Sequence, residues 1–243
     1  IELEKAMQLG AISPLEIRDE KDLGRFGLGL KTASFSKCRM LTVASKRDNI
    51  ISCLRWDLDE ISSEGGDEWY LMEGPAEGSA TFINRVDNQA HGSLVLWENL
   101  DRIISNSFTE TDFLDLVDRV EKHFEMVFHR YIDGASPLLK IFINGKGIKP
   151  WDPFLTGHVS KPWITPPIAH PSGNISVECH VLPHKDMLTQ KEYDSASGPQ
   201  GWTSQQGFYI YRNKRLLLAG SWLGLGKGRS WNKEEAFRLA RIK

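Results

Sequence analysis

The chain has 243 residues, 40% hydrophobic and 26% charged, with a formal net charge of −2. That is enough chain to bury a sizeable core in one large domain or two small ones. The charge balance gives no support to nucleic-acid binding through overall positive charge. Three cysteines, Cys38, Cys53 and Cys179, have no C-x-x-C spacing, so a zinc site or disulfide framework is not expected and reduced thiols in a cytoplasmic protein are. No apolar run approaches 18 residues, so no membrane span is expected.

The chain opens on IELEKAMQLG, which reads as a short helix closed by a glycine. It has neither an initial methionine nor a leader, and reads as a piece of something longer. SPLEIRDEKDL reads as a loop, and KTASFSKC opens a helix. CRMLTVASK and IISCLRWDLDE alternate apolar and polar residues around RDN, which predicts a hairpin. SSEGGDEW is a loop, ATFINRV a further strand, and HGSLVLWENL a strand whose Leu94, Val95, Leu96 and Trp97 form a continuous apolar run.

The clearest helix is TETDFLDLVDRVEKHFEMVFHRYI. Its Phe113, Leu116, Val120, Phe124 and Val127 recur at three- and four-residue spacing, with Thr109 as a candidate cap. LLKIFINGKGIKPW is strand, Asn-Gly turn, strand. Residues 151–173, rich in Pro, Trp and Gly, read as a linker, and NISVECHVLPH, GFYIYRN and KRLLLAG read as strands beyond it. Helices mixed with hairpins make the fold class α+β.

Chemistry concentrates in GRFGLGLKTAS, residues 24–34. A Walker A loop needs lysine directly after its last glycine. Here Leu30 intervenes, and one residue turns a helical side chain by about 100°. A dinucleotide fingerprint needs a third glycine where Thr32 stands, and a strand before it. Gly24, Gly27 and Gly29 let backbone approach an anion, the helix that follows points free N–H groups at it, and Lys31 and Thr32 add a charge and a hydroxyl. The same glycines also suit an ordinary turn before a buried helix.

GRFGLGLKTASFS resembles the lid motif of the GHKL ATPases, the superfamily of gyrase B, the ninety-kilodalton heat-shock chaperones, histidine kinases and MutL. With the strand that follows, it looks most like the MORC-type and related prokaryotic members. GSLVLWENLDR resembles the family's late Gly-Thr motif, here Gly92-Ser93, and GFYIYRNKRLLLAG resembles a strand pair of a transducer-like domain. The resemblance implies a Bergerat α/β sandwich over residues 1–155, incomplete at its N-terminus, and part of a transducer-like domain over 156–243.

The resemblance also implies that Gly24, Arg25, Phe26, Gly27, Leu28, Gly29, Leu30, Lys31 and Thr32 bind ATP. Ser93 would help hold the adenine through a carboxylate and water, and Mg2+ would be bound in the complete protein. Two family motifs that precede the lid are not in the chain: a helix with a catalytic glutamate and a magnesium-binding asparagine, and D-x-G-x-G with the adenine aspartate. IELEKAMQLG resembles the helix just after the second. The expected function is an ATP-driven conformational switch that dimerises on ATP, with this polypeptide itself inactive. The alternative is a non-catalytic module that holds DNA or a protein through its second domain.

Glu2, Glu4, Glu16 and Glu20 lack a neighbouring asparagine and read as a solvated face. Lys214, Lys227, Lys233 and Lys243 are candidates for the transducer lysine by location alone. His180 and His184 flank Pro183 in a strand, which argues against a metal pair. Trp151, Trp163, Trp202, Trp222 and Trp231 read as core plugs and loop anchors, and GLGKGRSWNK as a solvated basic loop. For Lys31 the alternative to phosphate binding is a stem over apolar surface with its charge in water. If it holds phosphate, Lys31→Ala in the complete protein is expected to weaken ATP binding or turnover by at least about tenfold and to leave folding nearly unchanged.

Overall fold

The computed structural model describes residues 1–243 except 1, 11–12, 14–16, 18, 20–21, 25–27, 64–68, 174 and 226–230. The fold is α+β, in two compact units, residues 1–109 and 110–243.

The first unit is built on a four-stranded antiparallel sheet of order β3-β2-β1-β4. Strands β1 (Met40–Arg47) and β2 (Ile50–Asp57) form the expected hairpin. Asp48 and Asn49 both take positive φ, 51° and 62°, the two-residue turn whose twist matches the strands. Strand β3 (Met72–Glu73) extends β2, and β4 (Gly92–Glu98) lies antiparallel to β1 at the other edge.

The register defines two sheet faces. Leu41, Val43 and Ser45 share one face with Trp97, Val95 and Ser93 opposite them on β4, and with Trp56, Leu54 and Ser52 on β2. Helices α1 (Glu2–Met7) and α2 (Gly29–Phe35) supply this face with its core: Met7, Cys38, Leu41, Val43, Trp56 and Ile61, edged by Leu3 and Phe35. Ile61 comes from α3 (Leu58–Ser63), where the sequence pattern continued the strand; the strand ends at Asp57, whose Oδ1 accepts from the Asp59 and Glu60 amides and starts the helix.

The opposite face carries α4 (Ala80–Asp87). This corrects the strand expected for ATFINRV. Ala80, Ile83 and Val86 recur at three-residue spacing, only Val86 is deeply buried, and the β-branched residues that suggested a strand sit on helix turns. The apolar run on β4 is buried on one side only: Leu94 and Leu96 are partly covered, whereas Val95 and Trp97 remain 49% and 40% exposed.

The second unit begins with α5 (Glu110–Val127) and α6 (His129–Ile132). The predicted stripe is buried toward its C-terminal end at Val127, while Phe113 and Val120 are exposed. The Asn-Gly turn joins β5 (Phe142–Ile143) to β6 (Lys146–Gly147), with Asn144 and Gly145 at φ 49° and 81°. Strands β7 (Trp163–Ile164), β8 (Ile168–Ala169), β9 (Ser176–Val177) and β10 (Cys179–Val181) follow, then α7 (Gln190–Ala196), β11 (Gly207–Arg212), β12 (Arg215–Ser221) and β13 (Ala240–Ile242). The main sheet runs β12-β11-β13-β10-β7.

Residues 151–173 are not a free-standing linker. Both sides lie in the same compact unit, and Phe154, 2% exposed, packs on Tyr209 of β11 and on His180. Trp202 and Trp222 are buried as expected of core plugs, but Trp163 is 63% exposed.

Beside that core, His129 Nε2 lies 2.8 Å from the Tyr211 hydroxyl. Burial, more than any charge, lowers the His129 pKa to about 4; Asp152 and Asp133 oppose the shift while Arg130 and Lys243 add to it. Burial likewise raises the Tyr211 pKa, so both rings are neutral at pH 7. An unfolded histidine takes its proton near pH 6.5, so the unfolded state binds more protons between that value and about 4. The contribution of a neutral His129 is therefore complete above pH 6.5 and lost as pH falls toward 4, by up to about 3 kcal/mol. Urea unfolding at pH 7 and 4.5 should show a smaller acid loss in His129→Gln than in wild type; equal losses would remove His129 from the acid response.

Candidate functional site

The described part of the glycine-rich stretch is fastened to β4 through Trp97 and to α1 through Lys31. The Gly24 amide donates to Asp22 Oδ1 at 2.8 Å, while Arg25, Phe26 and Gly27 lie outside the described residues. Leu28 occupies the cap position of α2, and Gly29, Leu30, Lys31 and Thr32 form its first turn. Leu28 and Leu30 are 38% and 37% exposed. The Thr32 hydroxyl donates to Leu28 O at 2.9 Å, so its proton is used within the helix and its lone pairs remain.

Ser34, fully buried, is a residue the sequence reading did not single out. Its hydroxyl donates to Leu30 O at 2.6 Å and accepts from Trp97 Nε1 at 2.9 Å. This chain ties α2 to β4.

Lys31 is the largest departure from expectation. It is 3% exposed, and its ammonium donates to Ala6 O at 2.8 Å. Trp56 Nε1 donates to Met7 O at 3.0 Å beside it. Two side chains thus satisfy carbonyls that the end of α1 leaves unpaired, and the cation meets the negative end of that helix. The alternative of a charge in water does not hold. Burial lowers the Lys31 pKa.

Ser93 sits at the start of β4, on the face that carries α2. Its hydroxyl is 3.0 Å from that of Ser45, its register partner. Both border a cleft of about 550 Å3, with Arg47, Asn49 and His91 on its rim. From Ser93 to Trp97 is four residues of strand, about 13 Å. Between them on this face lies the side chain of Val95, which is exposed. The first unit thus presents an apolar strip on one sheet face, hydroxyls at one end and α2 at the other.

Residues 1–93 match the model of a family described as histidine kinase-, DNA gyrase B-, and HSP90-like ATPases. The match runs from α1 through α2 and ends at Ser93, so Val95 and Trp97 of the strip and the whole second unit lie outside it. No curated protein matches the chain.

GHKL ATPases bind ATP with Mg2+. No cluster of three His, Cys, Asp or Glu side chains that could hold a metal occurs among the described residues.

Of the early glutamates, Glu2 pairs with Arg47 at 3.1 Å, and Glu16 and Glu20 lie outside the described residues. Among the candidate transducer lysines, Lys233 donates to Ser204 O at 2.8 Å, Lys243 pairs with Glu178 at 2.5 Å, and Lys227 lies outside the described residues. His180 is buried against Phe154, and His184 accepts from the Asp186 amide. No described helix is long and apolar enough to cross a membrane.

Proposed function

We propose that this chain is part of an ATP-driven conformational switch of the GHKL type. In this reading residues 1–155 are the ATP-binding module, 156–243 are a transducer-like domain, and the affinity is with MORC-type members. Gly24 to Thr32 close over the triphosphate, Ser93 faces the base, Mg2+ accompanies the phosphates, and ATP promotes a homodimer in the cytoplasm. The observation that carries the reading is that the lid helix and Ser93 share one sheet face with an uncovered apolar strip between them. A non-catalytic module that holds DNA or protein through residues 156–243 is the second reading, favoured by the exposure of Trp163.

The polypeptide contains no D-x-G-x-G and therefore no adenine aspartate of that pattern. Loss of such a buried polar contact costs about 1–3 kcal/mol. Binding of ATP by these 243 residues is accordingly expected to be no tighter than millimolar, with no turnover. Calorimetry showing micromolar, Mg2+-dependent affinity would overturn that expectation. The site itself is read by magnetisation transfer from protein to the adenine protons of millimolar ATP. The reading expects transfer in wild type and its weakening in Ser93→Ala; no transfer in wild type would reject it.

A further inference from the structure

A second cleft lies within the second unit, lined by α5 on one side and by the end of α7 and the turn after it on the other. Its volume is about 740 Å3, the size of a small-molecule site. Trp151 holds both sides in place. Its amide donates to Glu125 O of α5 at 3.1 Å, and its Nε1 donates to Ser195 O of α7 at 2.9 Å. Gly198, at φ 61°, lets the turn lie against the indole, where a Cβ would come within 2.3 Å of the ring. The indole is thus a spacer that fixes the width of the cleft.

The two sides carry opposite charge. Arg119, Lys122 and His123 line the cleft from α5, at the three- and four-residue spacing that shares one helix face. All three are exposed, and among the described residues neither Arg119 nor Lys122 forms a side-chain hydrogen bond or salt bridge. Burial first, then the Glu121 charge, raises the Glu125 pKa against the pull of Lys146 and Lys122, so the Glu125 carboxyl is a weaker counter-ion for these cations than an exposed one. On the other side Asp194 is exposed and accepts from Gln190 Nε2 at 2.7 Å through Oδ1, which leaves Oδ2 for another donor. Met126, Pro199 and the indole add apolar surface.

We propose that this cleft binds a small zwitterion of the ω-amino acid class, its carboxylate on Arg119 and Lys122, its ammonium on Asp194 and its apolar body on Met126 and Pro199. Opposite charges on the two sides complement a ligand that carries both charges at its ends. A plain anion meets the α5 side and is repelled by Asp194, and a plain cation meets the reverse. Both pairs form at an exposed rim, so each charge contributes modestly and the affinity is expected to be millimolar. The proposal is independent of the nucleotide reading, since every lining residue belongs to the second unit.

The test titrates the 243-residue protein with 6-aminohexanoate, hexanoate and hexylamine, read by magnetisation transfer to the methylene protons of each compound. The zwitterion is expected to bind about threefold more tightly than either singly charged analogue. Arg119→Ala combined with Lys122→Ala should remove its advantage over hexylamine and leave hexylamine no weaker than before. Asp194→Asn, which keeps an oxygen for Gln190, should remove its advantage over hexanoate and leave hexanoate no weaker. The three positions are exposed, so urea midpoints of both variants should stay near that of wild type. No binding of 6-aminohexanoate by wild type, equal binding of the three compounds, or an advantage that survives both sets of substitutions overturns the proposal.

Discussion

Replacing Arg241 by alanine is expected to destabilise the second unit by about 4 kcal/mol, the largest single effect among the described residues of that unit. Arg241 is fully buried in β13, the central strand of the five-stranded sheet. Its guanidinium donates to Pro153 O and, at 2.9 Å, to Ala196 O, so it joins the 151–173 stretch and the end of α7 to the sheet. Its Cζ lies 5.5–5.9 Å from the ring centres of Trp151, Trp202 and Tyr209. Among the described residues Arg241 forms no ion pair; carbonyl dipoles and aromatic faces stand in for a carboxylate, and burial lowers the arginine pKa.

Alanine strands two buried carbonyls and opens a cavity. Arg241→Met fills much of the space and removes a desolvated charge, so about half the loss is expected. Arg241→Lys keeps the charge but not the fork, and should be at least as damaging as methionine. Urea unfolding orders the three variants. An Arg241→Ala protein within about 1 kcal/mol of wild type would show that the clamp contributes little.

The turns were the most legible part of the sequence. RDN and Asn144-Gly145 announced hairpins because positive φ is demanded of two successive residues, and Asn, Asp and Gly adopt it most readily. The helix over 110–127 was legible from its period, although half of its stripe is exposed, because periodicity says which face is apolar and not what covers it. Helix α4 was misread because a short segment with Thr, Ile and Val carries both periods at once. Helix α7 was missed although its signal was present: Thr189 and Glu192 form a reciprocal capping box, and the bonds from the Thr189 hydroxyl and amide depress the Glu192 pKa to about 2.

The site divides the same way. Gly24 to Thr32 and Ser93 stood out because glycine spacing and order along the chain are properties of sequence. Ser34 and Ser45 did not, since each acquires its partner only when β1 and β4 pair and α2 docks on Trp97. Nor could the partner of Lys31 be found. A backbone carbonyl carries no sequence signal, and the contact spans 25 residues.

That contact changes what Lys31→Ala should do. The earlier expectation was a loss of ATP binding with no cost to folding. The buried ammonium bound to Ala6 O adds a structural effect: its loss leaves a carbonyl at the end of α1 unpaired and removes a cation from the negative helix end. About 2 kcal/mol of stability should go with it. Lys31→Met, which keeps the apolar stem in its buried place, should lose less.

The phosphate role is an additional effect, separable by its readout. If the ammonium also serves the triphosphate, ATP drives it to share or leave Ala6 O, and both variants lose at least tenfold in ATP affinity. The two losses then do not scale together: Lys31→Met recovers part of the stability and none of the affinity. Urea midpoints without nucleotide, set against ATP titrations on the same proteins, measure both. Unchanged ATP affinity in Lys31→Met would leave Lys31 as a structural link between α1 and α2.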